Sequence, residues 1–263
     1  MKILYVAELV GKTGVYVLKK SINELKKRCP WDFLIVCADG ATGGTGLGRS
    51  HGAYIHKLGA NAITLGECCF YKKDLTHNME KIPYVLRPYN LNQEAPGIGF
   101  KIFKTSNGEK IALAVILGQN GFTRLHSNSP FTVLPHLAQE AKKHTPYFLI
   151  DFHTQASAEK KTFFHAADGL VSAVIGSHTR VQTSDETIMP NGTAIISDAG
   201  RTGSQQSVGG CDINSRIKEY LTGVPDWTKE AWDDPQLQGV YLDIGEDGKA
   251  RSIERVRFSI KLD

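Results

Sequence analysis

The sequence FLIVCADGATGGTGLG, at residues 33–48, joins a continuous apolar run to a glycine-rich loop. An uninterrupted apolar run of this length predicts a strand that is buried on both faces. Similar runs, ILYVA at 3–7 and AITL at 62–65, stand on either side of it. The segments between them, 15–28 and 51–58, carry apolar residues at helical spacing. This alternation of strands and helices predicts a parallel sheet and an α/β fold.

The glycine-rich loop at 39–48 differs from the common nucleotide-binding loops. The dinucleotide-binding loop of Rossmann proteins follows the first strand and has a fixed glycine spacing, whereas this loop follows the second strand and lacks that spacing. It also lacks the Gly-Lys-Ser/Thr ending of a phosphate-binding Walker loop. We therefore reject a Rossmann-type oxidoreductase. Earlier in the chain, residues 11–14 are predicted to form a turn.

The rest of the chain contains further segments with strand or helix patterns. The predicted elements are hairpin strands at 99–105 and 110–117, a helix at 130–144, strands at 147–152, 171–176 and 194–197, a helix at 213–222, and strands at 238–245 and 252–260. The sequence shows no internal repeat, low-complexity tract or linker. We therefore expect a single domain spanning residues 1–263.

Composition narrows the function classes. The 263 residues are 41% hydrophobic and 22% charged, as in globular proteins. The net charge of +4 comes from 31 basic and 27 acidic residues, a balance too even to predict a nucleic-acid or anionic-membrane partner. Five cysteines without framework spacing argue against disulfides. The start does not resemble a signal peptide, and no run reaches the about 18 apolar residues of a membrane helix. We expect a cytoplasmic protein.

Five residues that can bind metal ions follow five predicted strands. These residues are Glu8, Asp39, Glu67, His153 and His178. In open α/β sheets, ligands bind at the carboxyl ends of the strands, so these side chains are expected to face one crevice. Carboxylates together with imidazoles suit Mn, Fe or Zn better than Ca or Mg. Taken singly, a histidine at a strand end is more often a hydrogen-bonded structural residue, and an acid is more often a cap. As a set, they predict a metal or phosphate site.

Eight segments, distributed over nearly the whole chain, carry a resemblance to a known family. They are KILYVAELVGKTG (2–14), DGATGGTGL (39–47), LGECCFYKK (65–73), RPYN (87–90), IDFHTQASAEK (150–160), VIGSHTRVQT (174–183), MPNGTAIISDAGRTG (189–203), and SVGG (207–210) before a helix that ends in LTG. The chain resembles the YmdB family of calcineurin-like metallophosphoesterases. The resemblance implies a four-layer α/β/β/α sandwich, a two-metal site that hydrolyses phosphodiesters, notably cyclic nucleotides, and assembly into oligomers.

Several residues depart from the pattern that the resemblance implies for the metal site. The first strand of the family ends in Asp, where this chain has Glu8. The second carries Glu-Asn, where this chain has Asp39 and Gly40. The third reads Gly-Asn-His, where Glu67 and Cys68 follow the same glycine. Cys68 thus replaces the His that would protonate the leaving group, and a thiol is a less common acid for this role.

Two histidines of the family pattern are retained, and one is replaced. His153 corresponds to the His of Asp-Phe-His, and His178 to the first His of Gly-Thr-His-Thr-His. The second His of that motif is Arg180. Because a guanidinium stays protonated, it cannot bind a metal and instead adds a positive charge. We expect Arg180 to stand where the charge of the first metal would stand, paired with Glu8 or Asp39.

Two hypotheses of function follow. In the first, the site is remodelled, Arg180 stabilises a substrate phosphate, and weak or one-metal phosphodiesterase activity on cyclic nucleotides remains. The single cation would be held by Asp39, Glu67, His153 and His178. In the second, the chain is a catalytically inactive scaffold or protein-interaction module, in which Arg180 forms a salt bridge, His153 and His178 are held by hydrogen bonds, and no metal gives turnover.

Four other residues have alternative interpretations. Asp151 could orient a neighbouring histidine as a hydrogen-bond acceptor, or form a salt bridge at the strand end. Asp198 is interpreted as a cap or as a group that supports the site from behind. Trp227 and Trp232 lie in a polar segment, where they would mark a partner surface or pack onto the core.

Overall fold

The computed structural model describes residues 1–225 and 229–261. Its strands are β1 (Lys2–Val6), β2 (Glu8–Leu9), β3 (Phe33–Cys37), β4 (Ala62–Thr64), β5 (Val85–Leu86), β6 (Phe100–Lys104), β7 (Lys110–Leu117), β8 (Phe148–His153), β9 (Ala173–Ser177), β10 (Thr187–Ile188), β11 (Ala194–Ile196), β12 (Arg201–Ser204), β13 (Pro235–Ile244) and β14 (Ala250–Ser259). Its helices are α1 (Gly11–Arg28), α2 (Arg49–Lys57), α3 (Lys73–Thr76), α4 (Pro130–Lys142), α5 (Ser157–Ala167) and α6 (Ile213–Thr222).

These strands form two sheets. The first has the order β2-β12-β13-β1-β3-β4-β5, and β14 pairs with β13. Within it, β1, β3, β4 and β5 are parallel, as the strand–helix alternation predicts. The second sheet has the order β10-β11-β9-β8-β7-β6, and the central strands β11, β9, β8 and β7 are parallel. The predicted hairpin is the antiparallel pair of β6 and β7.

Three apolar clusters define four layers. The central cluster lies between the sheets and takes residues from both, for example Tyr5 and Ile35 from the first and Leu113 and Ile175 from the second. An outer cluster joins α1 and α2 to the first sheet. Another joins α4 and α5 to the second sheet. The α/β/β/α sandwich implied by the resemblance is therefore confirmed.

The prediction of a turn at residues 11–14 is wrong, because α1 already begins at Gly11. Gly14 lies where the first turn of this helix packs against β12, and a Cβ on Gly14 would stand 2.6 Å from the carbonyl oxygen of Thr202. The glycines that suggested a turn in the sequence thus serve close packing between a helix and a strand. The elements that the sequence patterns did not predict include α5 and β12.

Among the described residues, no helix is long and apolar enough to cross a membrane.

Gly14→Ala should destabilise the protein by about 1–3 kcal/mol, because the added methyl group would overpack the contact with Thr202. Gly52→Ala is the matched control. Gly52 lies inside α2, where a Cβ would make ordinary contact with Leu47 at 3.4 Å, so helix propensity should stabilise this variant by about 0.5–1 kcal/mol. Urea unfolding measures both changes. Equal stability of Gly14→Ala and the wild type would contradict the packing argument.

Candidate functional site

Polar side chains from both sheets meet where the carboxyl ends of the parallel strands face each other. Asp39 and Glu67 follow β3 and β4 of the first sheet, whereas His153 ends β8 and His178 follows β9 of the second. We call these four residues the acid–imidazole cluster. The structure brings them together, as the positions at strand ends predict.

Glu67 connects the two imidazoles of the cluster. One of its carboxylate oxygens contacts Nε2 of His153, and the other lies 3.3 Å from Nδ1 of His178. The two imidazole nitrogens are themselves 3.2 Å apart. The phenyl ring of Phe122 packs on both histidine rings, with centroid distances of 5.9 and 5.1 Å. Phe122 comes from a loop without any sequence pattern, so sequence reasoning did not find it.

The charges of Glu67 and His153 depend on each other. Burial disfavours ionisation of both groups, but their mutual attraction outweighs it. The pKa of Glu67 therefore lies far below its usual range, and the pKa of His153 rises to about 9. In the absence of a cation, the two side chains form an imidazolium–carboxylate pair. Binding a divalent cation at Nε2 would displace that proton.

Asp39 is almost fully buried behind Glu67. Its carboxylate accepts hydrogen bonds from the backbone N–H groups of Gly66, at 2.7 Å, and Cys68, at 3.1 Å. Burial and the nearby charge of Glu67 raise the pKa of Asp39 well above its usual value. A side chain on Gly66 would collide with the ring of His153, which explains why a glycine precedes Glu67.

Cys68 lies next to these two acids. Potential ligand atoms of Asp39, Glu67 and Cys68 lie within 4.8 Å of one another. Burial, followed by the negative charges of the two acids, raises the pKa of the Cys68 thiol far above its usual range. Without a cation, Cys68 therefore holds its proton firmly.

Arg180 forms an ion pair with the buried Glu8, one of the two partners expected from the sequence, and its own side chain is 22% exposed. Its Nη2 and Nε donate to the same oxygen of Glu8 at 2.6 and 3.0 Å. It also donates to the carbonyl oxygens of Gly44 and Gly209, at 2.9 and 3.2 Å. A Cβ on Gly40 would stand only 2.7 Å from Glu8 and 2.8 Å from Arg180. The absence of a side chain at position 40 thus makes room for this ion pair.

A chain of buried hydrogen bonds determines how His153 faces the cluster. Asp151 accepts hydrogen bonds from Tyr5, Thr64 and Ser177, at 2.7, 2.5 and 2.6 Å. Since the Ser177 hydroxyl donates to Asp151, it accepts a hydrogen bond from Nδ1 of His153, 2.8 Å away. Nδ1 therefore carries a hydrogen, and Nε2 is the ring nitrogen available to a cation. Asp151 orients the histidine as the sequence suggested, but through Ser177.

The turn that carries His178 and Arg180 has an unusual backbone. Both residues have positive φ angles, 97° and 61°, which are uncommon outside glycine. Lys160, which is 2% exposed, donates to the carbonyl oxygen of Ser177 and to Asp198. Asp198 also accepts hydrogen bonds from the backbone and side chain of Thr179. Asp198 thus supports the turn that carries His178 and Arg180. Its buried partner is Lys160, which the sequence patterns did not predict.

The cluster offers potential ligands for a divalent cation. Potential ligand atoms of Glu67, His153 and His178 lie within 4.8 Å of one another, and those of Asp39, Glu67 and Cys68 form a second such group. Carboxylate oxygens and imidazole nitrogens are ligands for Mn, Fe and Zn. Glu8 belongs to neither group of ligand atoms, because its carboxylate faces Arg180. The assignment of Glu8 as a metal ligand stays a prediction.

The structure describes only one of the two tryptophans for which the sequence offered alternatives. Trp227 lies outside the described residues. Trp232 is 39% exposed, and its ring meets the ring of Tyr16 edge-on at 5.8 Å, so it is partly packed against α1.

A four-layer sandwich with carboxylates and imidazoles at facing strand ends is the arrangement of a metallophosphoesterase. The sequence matches the family described as "YmdB-like protein" over residues 4–256, and the chain belongs to that family. It is 35% identical over 257 residues to the Bacillus subtilis (strain 168) protein named 2',3'-cyclic-nucleotide 2'-phosphodiesterase. That similarity covers 97% of this chain and 96% of the relative.

Solved structures agree with this assignment. A protein described as a novel phosphatase from Mycoplasma pneumoniae superposes with a TM-score of 0.90 at 29% identity, covering 98% of this chain and 93% of that one. A hypothetical protein from Thermus thermophilus gives the same TM-score at 27% identity, covering 98% of this chain and 99% of that one.

Ser177→Ala should weaken the binding of a divalent cation by about 10–100-fold, because Nδ1 of His153 would lose the acceptor that orients it. Ser172→Ala is the matched control, since it removes another buried hydroxyl next to β9 but outside the cluster. Titration calorimetry with Zn or Mn measures the affinities. If wild type and Ser177→Ala bound the cation equally, the orienting role of Ser177 would be refuted.

Proposed function

We propose that this chain is a phosphodiesterase or phosphatase of the YmdB type that works with one divalent cation, Mn, Fe or Zn. In this proposal, Arg180 supplies the positive charge of the other cation, the first metal of the pair that the resemblance implies. The observation that carries the proposal is the largely buried ion pair between Arg180 and Glu8 beside the acid–imidazole cluster. The resemblance implies two metals, and a fixed guanidinium replaces one of them electrostatically but not as a Lewis acid.

The cluster would hold the cation through Asp39, Glu67, His153 and His178. When bound, a divalent cation supplies positive charge that polarises a phosphoryl oxygen. The chain itself contributes the orientation of His153, through Ser177, and the packing of Phe122 against both histidine rings. With these side chains already in position, the phosphoryl group would bind next to charges that need no rearrangement.

Arg180 would contact the phosphate directly. A guanidinium has five N–H donors, and its hydrogen bonds to Glu8, Gly44 and Gly209 use four of them. Among the described residues, these contacts leave one Nη1 hydrogen for a phosphate oxygen. Cys68 would donate a hydrogen bond to the leaving oxygen, but its raised pKa makes it a poor proton donor. Because Cys68 stands where the family has a histidine, we expect slow turnover.

A phosphate-containing small molecule is the proposed substrate, and a cyclic nucleotide is the proposed class. This choice is supported by the name of the Bacillus subtilis relative, which specifies 2',3'-cyclic nucleotides. We further propose that the protein acts in the cytoplasm as a single domain of residues 1–263 and assembles into homo-oligomers. No membrane or nucleic-acid partner is included in this proposal.

The second candidate function is a catalytically inactive scaffold or protein-interaction module. It is favoured by the same ion pair, because a carboxylate that is neutralised by Arg180 no longer attracts a metal. This alternative predicts no turnover with any metal.

Protein purified without chelators should contain about one equivalent of Mn, Fe or Zn per chain, since the proposed site holds one cation and Arg180 takes the place of the other. Elemental analysis measures the content. Turnover of 2',3'-cyclic AMP and bis-p-nitrophenyl phosphate should depend on that metal. If these metals are absent and their addition gives no turnover, the proposal of a one-metal enzyme is wrong. The inactive scaffold would then be the remaining candidate function.

The double variant Arg180→His/Cys68→His should bind about two cations per chain and hydrolyse bis-p-nitrophenyl phosphate at least about 10-fold faster, because it regains a ligand and an acid. Arg257→His is the control for adding an imidazole at an exposed arginine. Metal content and initial rates measure the effect. If the double variant still bound one cation, the idea that Arg180 replaces a metal would fail.

A further inference from the structure

A polar cavity of about 320 Å³ opens beside the candidate site, and Arg180 is one of the residues that line it. Among the described residues that line the cavity, only Val181 is apolar. Buried polar atoms cost free energy unless they meet polar partners, so the cavity suits a charged or strongly hydrogen-bonding ligand. We call it the arginine–glutamine pocket, after its most buried lining residues, Arg201, Gln182 and Gln238.

Arg201 brings a positive charge to this pocket that no described carboxylate neutralises. The residue is only 7% exposed. Its guanidinium donates to the carbonyl oxygens of Ser204 and Gln205, both at 2.9 Å, and of Arg180, at 2.8 Å. A longer contact of 3.4 Å reaches the hydroxyl of Ser207. Among the described residues, these contacts use four of the five N–H donors, so one hydrogen on Nη1 remains for a ligand.

The charge balance of the arginine–glutamine pocket favours an anion. Positive side chains outnumber the single carboxylate among its described lining residues, that of Asp234. Burial, followed by the nearby charge of Arg180, lowers the pKa of Arg201, which is the direction expected for a cation without a counter-ion. An anionic ligand would supply the missing negative charge.

Two buried glutamines are held in place around Arg201. Nε2 of Gln182 lies within hydrogen-bond distance of three backbone carbonyl oxygens, at 3.0–3.3 Å. Oε1 of Gln238 accepts a hydrogen bond from the backbone N–H of Arg201 at 3.1 Å. A Cβ on Gly200 would stand 2.2 Å from Oε1 of Gln238 and 2.8 Å from Cβ of Gln182, so this glycine makes room for both. The pocket is thus formed before a ligand arrives, which reduces the cost of ordering side chains on binding.

The arginine–glutamine pocket lies close enough to the candidate site for one small molecule to reach both. Arg201 stands opposite Glu8 in the parallel pairing of β12 with β2. Its Nη1 donates to the backbone of Arg180, whose own guanidinium donates to Glu8. The two guanidinium groups are therefore separated by at most about one arginine side chain and one hydrogen bond. Two phosphate groups of the same nucleotide can span such a separation.

We propose that the arginine–glutamine pocket binds a second phosphate group of the substrate, one that is not hydrolysed. The substrate is then a nucleoside 2',3'-cyclic phosphate that carries a further phosphate at its 5' position. This inference rests on the proposed function, because the hydrolysed ester would lie at Arg180 and the cation. Arg201 donates its remaining Nη1 hydrogen to the second phosphate, and such charge-assisted hydrogen bonds are about twice as strong as neutral ones.

The first experiment measures binding of the two products that hydrolysis of a 2' ester would leave. Titration calorimetry compares adenosine 3',5'-bisphosphate with adenosine 3'-monophosphate. We expect the bisphosphate to bind about 10–100-fold more tightly, as for one or two hydrogen bonds to a charged group. For the same reason, a 5'-phosphate on 2',3'-cyclic AMP should lower its KM by a similar factor.

Two variants with matched controls assign this preference to the pocket. Gln236→Glu adds a negative charge to the pocket wall with little change in side-chain shape, and should reduce the preference for the bisphosphate about 10-fold. Gln139→Glu is the same change at an exposed position outside the pocket and should keep the preference. Asp234→Asn removes the carboxylate from the pocket and should increase the preference about 3-fold, whereas the exposed neighbour variant Asp233→Asn should not. Circular dichroism checks that all four variants keep the fold.

Equal affinities of the wild type for the two products would overturn the proposal, and so would a preference that Gln236→Glu leaves intact. If inorganic phosphate bound more weakly to Gln236→Glu than to the wild type, but the 5'-phosphate brought no gain, the pocket would serve a free anion and the substrate assignment would be wrong. Hydrolysis of bis-p-nitrophenyl phosphate tests the proposed function separately, because this ester has a single phosphate. Turnover of that ester without a preference for the bisphosphate would contradict this inference alone, whereas the preference without turnover would contradict the proposed function and support the pocket.

Discussion

The ion pair of Arg180 with Glu8 joins the two sheets at the edge where the cluster assembles. Glu8 belongs to the first sheet, and Arg180 belongs to the turn that follows β9 of the second. Removing two charges from water is costly, and their attraction compensates only when further hydrogen bonds satisfy the remaining donors. The carbonyl groups of Gly44 and Gly209 provide those bonds. The backbone of two loops is thereby fixed around one guanidinium.

The departures from the family pattern can be understood as one physical unit around this ion pair. Arg180 brings a positive charge that cannot exchange, Glu8 has the extra methylene that extends its carboxylate, and Gly40 leaves the space that both occupy. The acid–imidazole cluster next to it differs in kind, because its charges can exchange a proton for a metal ion. The permanent positive charge of Arg180 thus lies beside a cluster in which a metal ion can replace a proton. This contrast is the basis for proposing a site with one metal.

Much of the fold could be predicted because its central strands are continuous apolar runs. The runs at 3–7, 33–38 and 62–65 are buried on both faces, and that pattern distinguishes them from surface segments. The glycines at 11–14 were misleading, since a glycine is used both in turns and where a helix approaches a strand closely. The site residues at strand ends could be predicted for a similar reason: the carboxyl ends of parallel strands share one edge. Ser177 and Phe122 could not, because each acts through a contact with another segment.

By itself, the sequence determined which chemical groups stand at the strand ends, and it determined that position 180 cannot be a metal ligand, since a guanidinium keeps its proton. Only the tertiary structure decided that Arg180 pairs with Glu8 rather than Asp39, and that His153 presents Nε2 to the cluster. It also decided that large apolar residues of α6, among them Tyr220 and Leu221, face outward, although such residues at helical spacing are typical of a helix that faces the core. The reason is that residue types are local properties, whereas pairing, ring orientation and burial depend on distances between segments far apart in the chain.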